Sequence, residues 1–147
     1  MKKIAATFLL CALAAPLHAQ KLERTNPDGL FKNPNYTQVV RASKMIFVAG
    51  QVGVKPDGKV IGPGMKQQFE QALANLATAL KSVGADLTNV ASMTTFTTSM
   101  EEFRAPEVMA VRANRFGKNL PASTLVQVVK LASPDYKVEI QATAVLP

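Results

Sequence analysis

The chain has 147 residues, a formal net charge of +7, one cysteine (Cys11) and one histidine (His18). Both fall within the first nineteen residues, and the 128 that follow contain neither. Without that leader the chain has no disulfide, no Cys or His nucleophile and no Cys/His metal site. No clustered acids suggest a carboxylate metal site either, so the expectation is a domain without metal or cofactor, using Asp, Glu, Tyr, Ser, Thr, Lys or Arg around a water.

The leader is "MKKIAATFLLCALAAPLHA". Lys2 and Lys3 form a positive start, Ile4 to Ala15 an apolar stretch, and Ala19 the small residue before a cut, as in a secretory signal peptide. The apolar stretch is too short to span a bilayer, and bulky Leu9 and Leu10 before Cys11 argue against a lipid anchor. Residues 1–19 are therefore expected to be a signal peptide and 20–147 one exported domain, periplasmic or secreted, with no membrane attachment after cleavage. Lys2 and Lys3 account for two of the seven net charges, leaving +5 on the mature chain. The remaining basic residues are scattered, the densest group being Arg112, Arg115 and Lys118 with Arg104 upstream. With no Trp in the sequence, that pattern reads as a solvated helix face rather than a nucleic-acid site.

In chain order, Lys21 to Asn35 holds Pro27, Gly29 and Pro34 and reads as an irregular arm. "YTQVVRAS" and "KMIFVAGQV" read as two short strands around a tight turn at Ser43–Lys44, followed by a turn with Asp57-Gly58 at its tip. Phe69, Leu73, Leu76, Leu80 and Val83, with Ala72 alongside, recur at helical spacing and predict a helix over residues 65–83, closed by Gly84. "NVASMTTFTT" predicts a third strand. Ser99 and Glu102 can form a capping box, and Pro106 suits the first turn of a second helix ending near Phe116. Two strands, residues 122–131 and 137–146, flank the turn "ASPDY". The order β-β-α-β-α-β-β predicts an α+β fold, a mixed sheet with both helices on one face.

Alternation within the strands carries an inference about assembly. Met45, Phe47 and Ala49 point one way and Ile46 and Val48 the other, so both faces of that strand are apolar. In the last strand, Val138, Ile140, Ala142 and Ala144 point to the core and Glu139, Gln141 and Thr143 away from it. Helices on one face leave the other to a second subunit, so a homo-oligomer is expected, with polar residues lining a crevice.

"MIFVAGQVGV", "FEQALANLATALKSVGADLTNV", "PASTLVQV" and "KVEIQATAV" together resemble successive signatures of the RidA/YjgF family, in order and over nearly the whole mature chain. The resemblance implies a chorismate-mutase-like fold, a trimer whose sheets form an inner barrel, and small-molecule clefts between subunits. It also implies hydrolysis of enamines and imines such as 2-iminobutanoate to 2-oxo acids and ammonia, with neither metal nor cofactor. On the same resemblance Glu139 is the catalytic carboxylate that orients water, Gly50 and Gln51 keep a "GQ" pair, and Tyr36 in "NYTQ" is a cleft tyrosine. Ala49 stands where a serine is common, and Glu107 where an asparagine is found. The arginine of the family's "PAR" falls on Ser123, followed by Thr124. Substrate-binding candidates are thus Tyr36, Gly50, Gln51, Ser123 and Thr124. A charged hydrogen bond contributes roughly 1.5–3 kcal/mol against about 1 for a neutral one. Serine for arginine should therefore weaken a carboxylate grip by roughly ten- to a hundred-fold, with Arg41 or Arg104 as substitutes from other elements. Two functions follow: an exported imine deaminase of altered specificity, or a non-catalytic trimer that binds a small ligand.

Overall fold

The computed structural model describes residues 21–146, so the expected signal peptide lies outside the described residues. Strands β1 (Leu22–Thr25), β2 (Val39–Ala42), β3 (Met45–Val52), β4 (Val90–Thr97), β5 (Ala122–Gln127) and β6 (Val138–Val145) form one sheet ordered β1-β2-β3-β6-β4-β5. All pairings are antiparallel except β4 with β5, which run parallel. The connection between those two carries α2 (Met100–Phe103) and α3 (Pro106–Phe116), because parallel neighbours need a crossover. The mixed α+β sheet is as expected.

The helix α1 (Met65–Lys81) forms on its apolar stripe. Phe69, Ala72, Leu73, Leu76, Ala79 and Leu80 are fully buried, and the helix packs on β3, β6 and α3. Each large side chain buried there stabilises by roughly 1.5–3 kcal/mol. Phe69 meets Phe103 edge-on at 5.0 Å, which ties α1 to α2. Past Ser82, Gly84 adopts φ +78° while the Ala85 N–H donates to the Leu80 carbonyl, so the expected glycine stop is present.

Two local expectations need correction. Leu22–Thr25, taken as part of an irregular arm, is an edge strand in register with Val39–Ala42. Its short length and flanking prolines hid the pairing. The capping box is one-sided: Ser99 Oγ accepts from the Glu102 N–H, but the Glu102 carboxylate accepts from Lys137 Nζ at 2.7 and 2.9 Å instead of turning back. A cation within reach just before β6 outcompetes a backbone N–H for that carboxylate.

Ile46 and Val48 are buried against α1, whereas Met45 and Phe47 are 44% and 43% exposed on the opposite face. Pairing places Thr143 beside Phe47 and Val145 beside Met45, and Val126 beside Phe96. One face of the sheet is thus covered by helices, and the other presents an apolar surface in this single chain.

Candidate functional site

Between Val48 and Gln51 the β3–β6 register slips, so that Ala49 and Gly50 stand opposite the single residue Gln141. Such a bulge shifts the strand's phase by one residue. Strict alternation would send Gln51 to the open face. The bulge turns it inward, 3% exposed, where Nε2 donates to Gln38 Oε1 at 2.8 Å and to the Ala49 carbonyl at 3.0 Å. Gln38 is buried too and donates to the Phe31 carbonyl. The pair locks the end of β3 to the segment that carries Tyr36.

The same bulge seats Glu139. Its neighbours across the ladder are Val52 and Phe96, and its side chain lies against the Gly50 backbone. A Cβ at Gly50 would stand 2.7 Å from Glu139 Cδ and closer still to Oε1, so only glycine leaves room for the carboxylate. Among the described residues Glu139 has neither a hydrogen-bond donor nor an ion-pair partner. Burial alone raises its pKa above the usual carboxylate range.

Glu139, Gly50 and Gln51 line a cavity of about 300 Å³ together with Tyr36 and Tyr136. The Tyr36 phenol is pushed up, first by burial, then by the negative charge of Glu139, then by Tyr136. Tyr136 also borders a second hollow of about 650 Å³ that holds none of the candidates. It was missed in the sequence because it stands in the turn "ASPDY". Its signal was the aromatic three residues before Glu139.

Two buried amides support this floor and were also missed. Gln68, fully buried, donates to the carbonyls of Gly62 and Asp135 and accepts from the Lys137 N–H. Asn75 donates to the carbonyls of Val52 and Val54. They stand seven apart on the apolar stripe of α1, and a polar residue within such a stripe is the sign of a buried hydrogen-bonding role.

Ser123 and Thr124 do not join the Glu139 cavity within one chain. They lie on β5, two strands from β6, and point to opposite faces: Thr124 beside Thr94 on the open side, Ser123 beside buried Met93 on the helix side. There Arg112 of α3 donates from Nη1 to Ser123 Oγ at 3.1 Å. Neither arginine proposed as a substitute occupies this place. Arg41, at the other end of the sheet, donates to the Ser43 carbonyl and pairs with Glu23, and it is Arg112 that brings a guanidinium to Ser123.

Comparison with known proteins agrees with this architecture. The family model for endoribonuclease L-PSP matches residues 31–146. A 2-iminobutanoate/2-iminopropanoate deaminase of Rattus norvegicus is 35% identical over 111 residues, 75% of this chain and 79% of the rat protein. The solved structure of a Thermotoga maritima protein superposes with a TM-score of 0.79 at 32% identity, covering 85% of this chain and 98% of that one. TdcF of E. coli, solved with bound serine, gives a TM-score of 0.75 at 26% identity over 84% of this chain and 98% of its own.

Proposed function

The chain belongs to the RidA/YjgF family, and from that premise we propose that it hydrolyses imines or enamines to carbonyl compounds and ammonia. The observation that carries the reading is Glu139, a half-buried carboxylate without a hydrogen-bond or ion-pair partner among the described residues, seated over Gly50 in a cavity. The names of relatives such as the rat deaminase support the reaction class.

In that reaction a water forms a bond to the imine carbon and gives its proton to the Glu139 carboxylate. The C=N π electrons move to nitrogen. Glu139 returns the proton to that nitrogen, the C–N bond breaks with its electrons, and the hydroxyl proton passes to the departing nitrogen as the carbonyl forms, so that ammonia leaves. One carboxylate at hydrogen-bond reach serves both transfers, and its raised pKa brings its basicity closer to the working pH. Tyr36 and Tyr136 flank the reacting group.

The complete site belongs to a homotrimer, in which the apolar open faces around Met45 and Phe47 meet and leave clefts between copies. Exposed apolar faces of this kind are the usual mark of an assembly surface. Specificity is altered because a hydroxyl, Ser123, holds the strand position of the family arginine, with Arg112 reaching it from α3. Export by the leader places the reaction in the periplasm or the medium, and N-terminal sequencing of the exported protein should begin at Gln20.

The test is ammonia release from 2-iminobutanoate and related imines by the mature chain, Glu139→Gln and Ser123→Arg. Turnover that falls at least a hundred-fold in Glu139→Gln, and a gain on the carboxylated imine in Ser123→Arg, are expected. Ser123 also favours a second reading, a trimer that binds its ligand without turning it over. Silence toward every imine in the parent, with activity only in Ser123→Arg, would establish that one instead.

A further inference from the structure

We propose that the buried amide pair Gln38–Gln51 is a positioning device: it fixes the bulge of β3 and, through the bulge, sets the place of the Glu139 carboxylate. Gln51, a substrate-binding candidate from the sequence, is thereby reassigned to holding the backbone. The proposal deepens the hydrolytic reading and rests on it for the reaction, while the bonds that carry it all lie within one chain.

Gln38 is 4% and Gln51 3% exposed, so the pair is already closed off before a second copy packs on the sheet. Gln38 stands just before β2 and extends the β2–β3 pairing by one step. Its carbonyl accepts from the Ala49 N–H at 2.9 Å, and its own N–H donates to Asn26 Oδ1 at 2.8 Å. Its side chain faces two ways: Nε2 donates to the Phe31 carbonyl and Oε1 accepts from Gln51 Nε2, each at 2.8 Å. A primary amide has two N–H donors. The second donor of Gln51 goes to the Ala49 carbonyl at 3.0 Å, so neither is left for a ligand.

Ala49 and Gly50 are the two residues that face the single Gln141 at the bulge. A bulged residue loses its place in the ladder, and its backbone N–H and C=O must be satisfied elsewhere. The Gln38 carbonyl takes the Ala49 N–H, and the Gln51 amide takes the Ala49 carbonyl. The residue that follows is Gly50, and the Glu139 side chain lies against it with no room for a Cβ between. Movement of the backbone at 49–50 is therefore passed on to the carboxylate by direct contact. The arrangement is self-supporting, because the phase shift of the bulge is what turns Gln51 inward to hold it. A reacting group misplaced by about 1 Å can lose about a hundred-fold in rate.

The test compares the mature chain with Gln38→Met, Gln51→Met and the double variant, since methionine keeps the length of the side chain and removes the amide. Two readouts are taken well below the melting range: kcat and KM for the imine the parent turns over fastest, and an NMR titration of the Glu139 carboxyl carbon. Gln51→Met is expected to lower kcat at least ten-fold with KM changed less than three-fold. The Glu139 midpoint, raised in the parent by burial, should move back toward the ordinary carboxylate range as the group leaves its seat. Gln38→Met, which leaves Gln51 its bond to Ala49, should lose less rate. The double variant should melt higher than the summed losses of the two single variants place it, yet recover none of the rate, because the Ala49 carbonyl is still unheld. Rate recovered in step with stability would show a merely structural pair and overturn the proposal. A KM that rises while kcat holds would make Gln51 a substrate contact and overturn it too, as would an unmoved Glu139 midpoint in Gln51→Met. The hydrolytic reading fails separately: a midpoint that moves in a protein that turns over no imine sinks that reading alone, and turnover untouched by Gln51→Met sinks only this one.

Discussion

Gly50 and Glu139 depend on each other at the scale of single atoms. The carboxylate lies where any Cβ on residue 50 would stand. Gly50→Ala should therefore push Glu139 out of its seat, lowering turnover at least a hundred-fold for a stability loss of about 1–3 kcal/mol. Circular dichroism and ammonia release measured on the same sample separate the two effects. Glu139 also bears on stability. Its folded pKa is raised above the unfolded value, so its favourable contribution is present at acid pH and is lost as pH rises through the folded pKa. At neutral pH the ionised group is held at a cost that Glu139→Gln removes. The variant should melt higher than the parent at pH 7, and the gap should close as pH falls toward the unfolded carboxylate range. An inactive variant that is more stable is the pattern expected of a functional site. From the sequence, Glu139 was legible because its strand alternates cleanly. The inward turn of Gln51 was not, because one bulge reverses the phase of the residues beyond it.

The elements that hold the cavity are α1, the end of β3 and the turn before β6, joined by buried amides as well as by apolar contact. Gln68 reaches three backbone groups in two segments, the Gly62 carbonyl six residues before it and the Asp135 carbonyl and Lys137 N–H sixty-seven and sixty-nine residues after it. Gln68→Leu should leave the part-buried Asp135 carbonyl and Lys137 N–H without their partner, with a loss of about 1–3 kcal/mol and a lower melting temperature. Because Tyr136 lies between those two residues, the variant should also lose affinity for any ligand of the cavity beyond what global destabilisation explains. Ligand titration well below the melting range checks that. Helix α1 itself was readable from the spacing of Phe69, Leu73, Leu76 and Leu80. Strand β1 was not, since four residues with a largely exposed burial pattern carry no apolar alternation and owe their conformation to β2. Ser99 was recognised as a cap, but the partner of Glu102 lay thirty-five residues away on Lys137, beyond any local rule.

For the whole molecule, the decisive feature is a sheet covered on one side only. Met45, Phe47, Val126 and Val145 are each 39–44% exposed on the bare side. Alternation in β3 and β6 made this two-sidedness legible before any coordinates. It did not say which residues another copy would bring to the Glu139 cavity. Phe47→Asp should break the proposed trimer, turning a trimeric mass in light scattering into a monomeric one while the far-ultraviolet spectrum is kept. A monomeric parent would contradict the assembly.

The proposed turnover depends on a desolvated Glu139 carboxylate acting as the base that delivers water. The direct measurement is the pH dependence of kcat/KM for the imine the mature chain turns over fastest. Activity should fall on the acid side with a midpoint above the usual carboxylate range, and Glu139→Gln should remove both that limb and at least 99% of the rate, about 2.7 kcal/mol of transition-state stabilisation. A variant that keeps the parent's rate and the same acid limb would show that another group does the work.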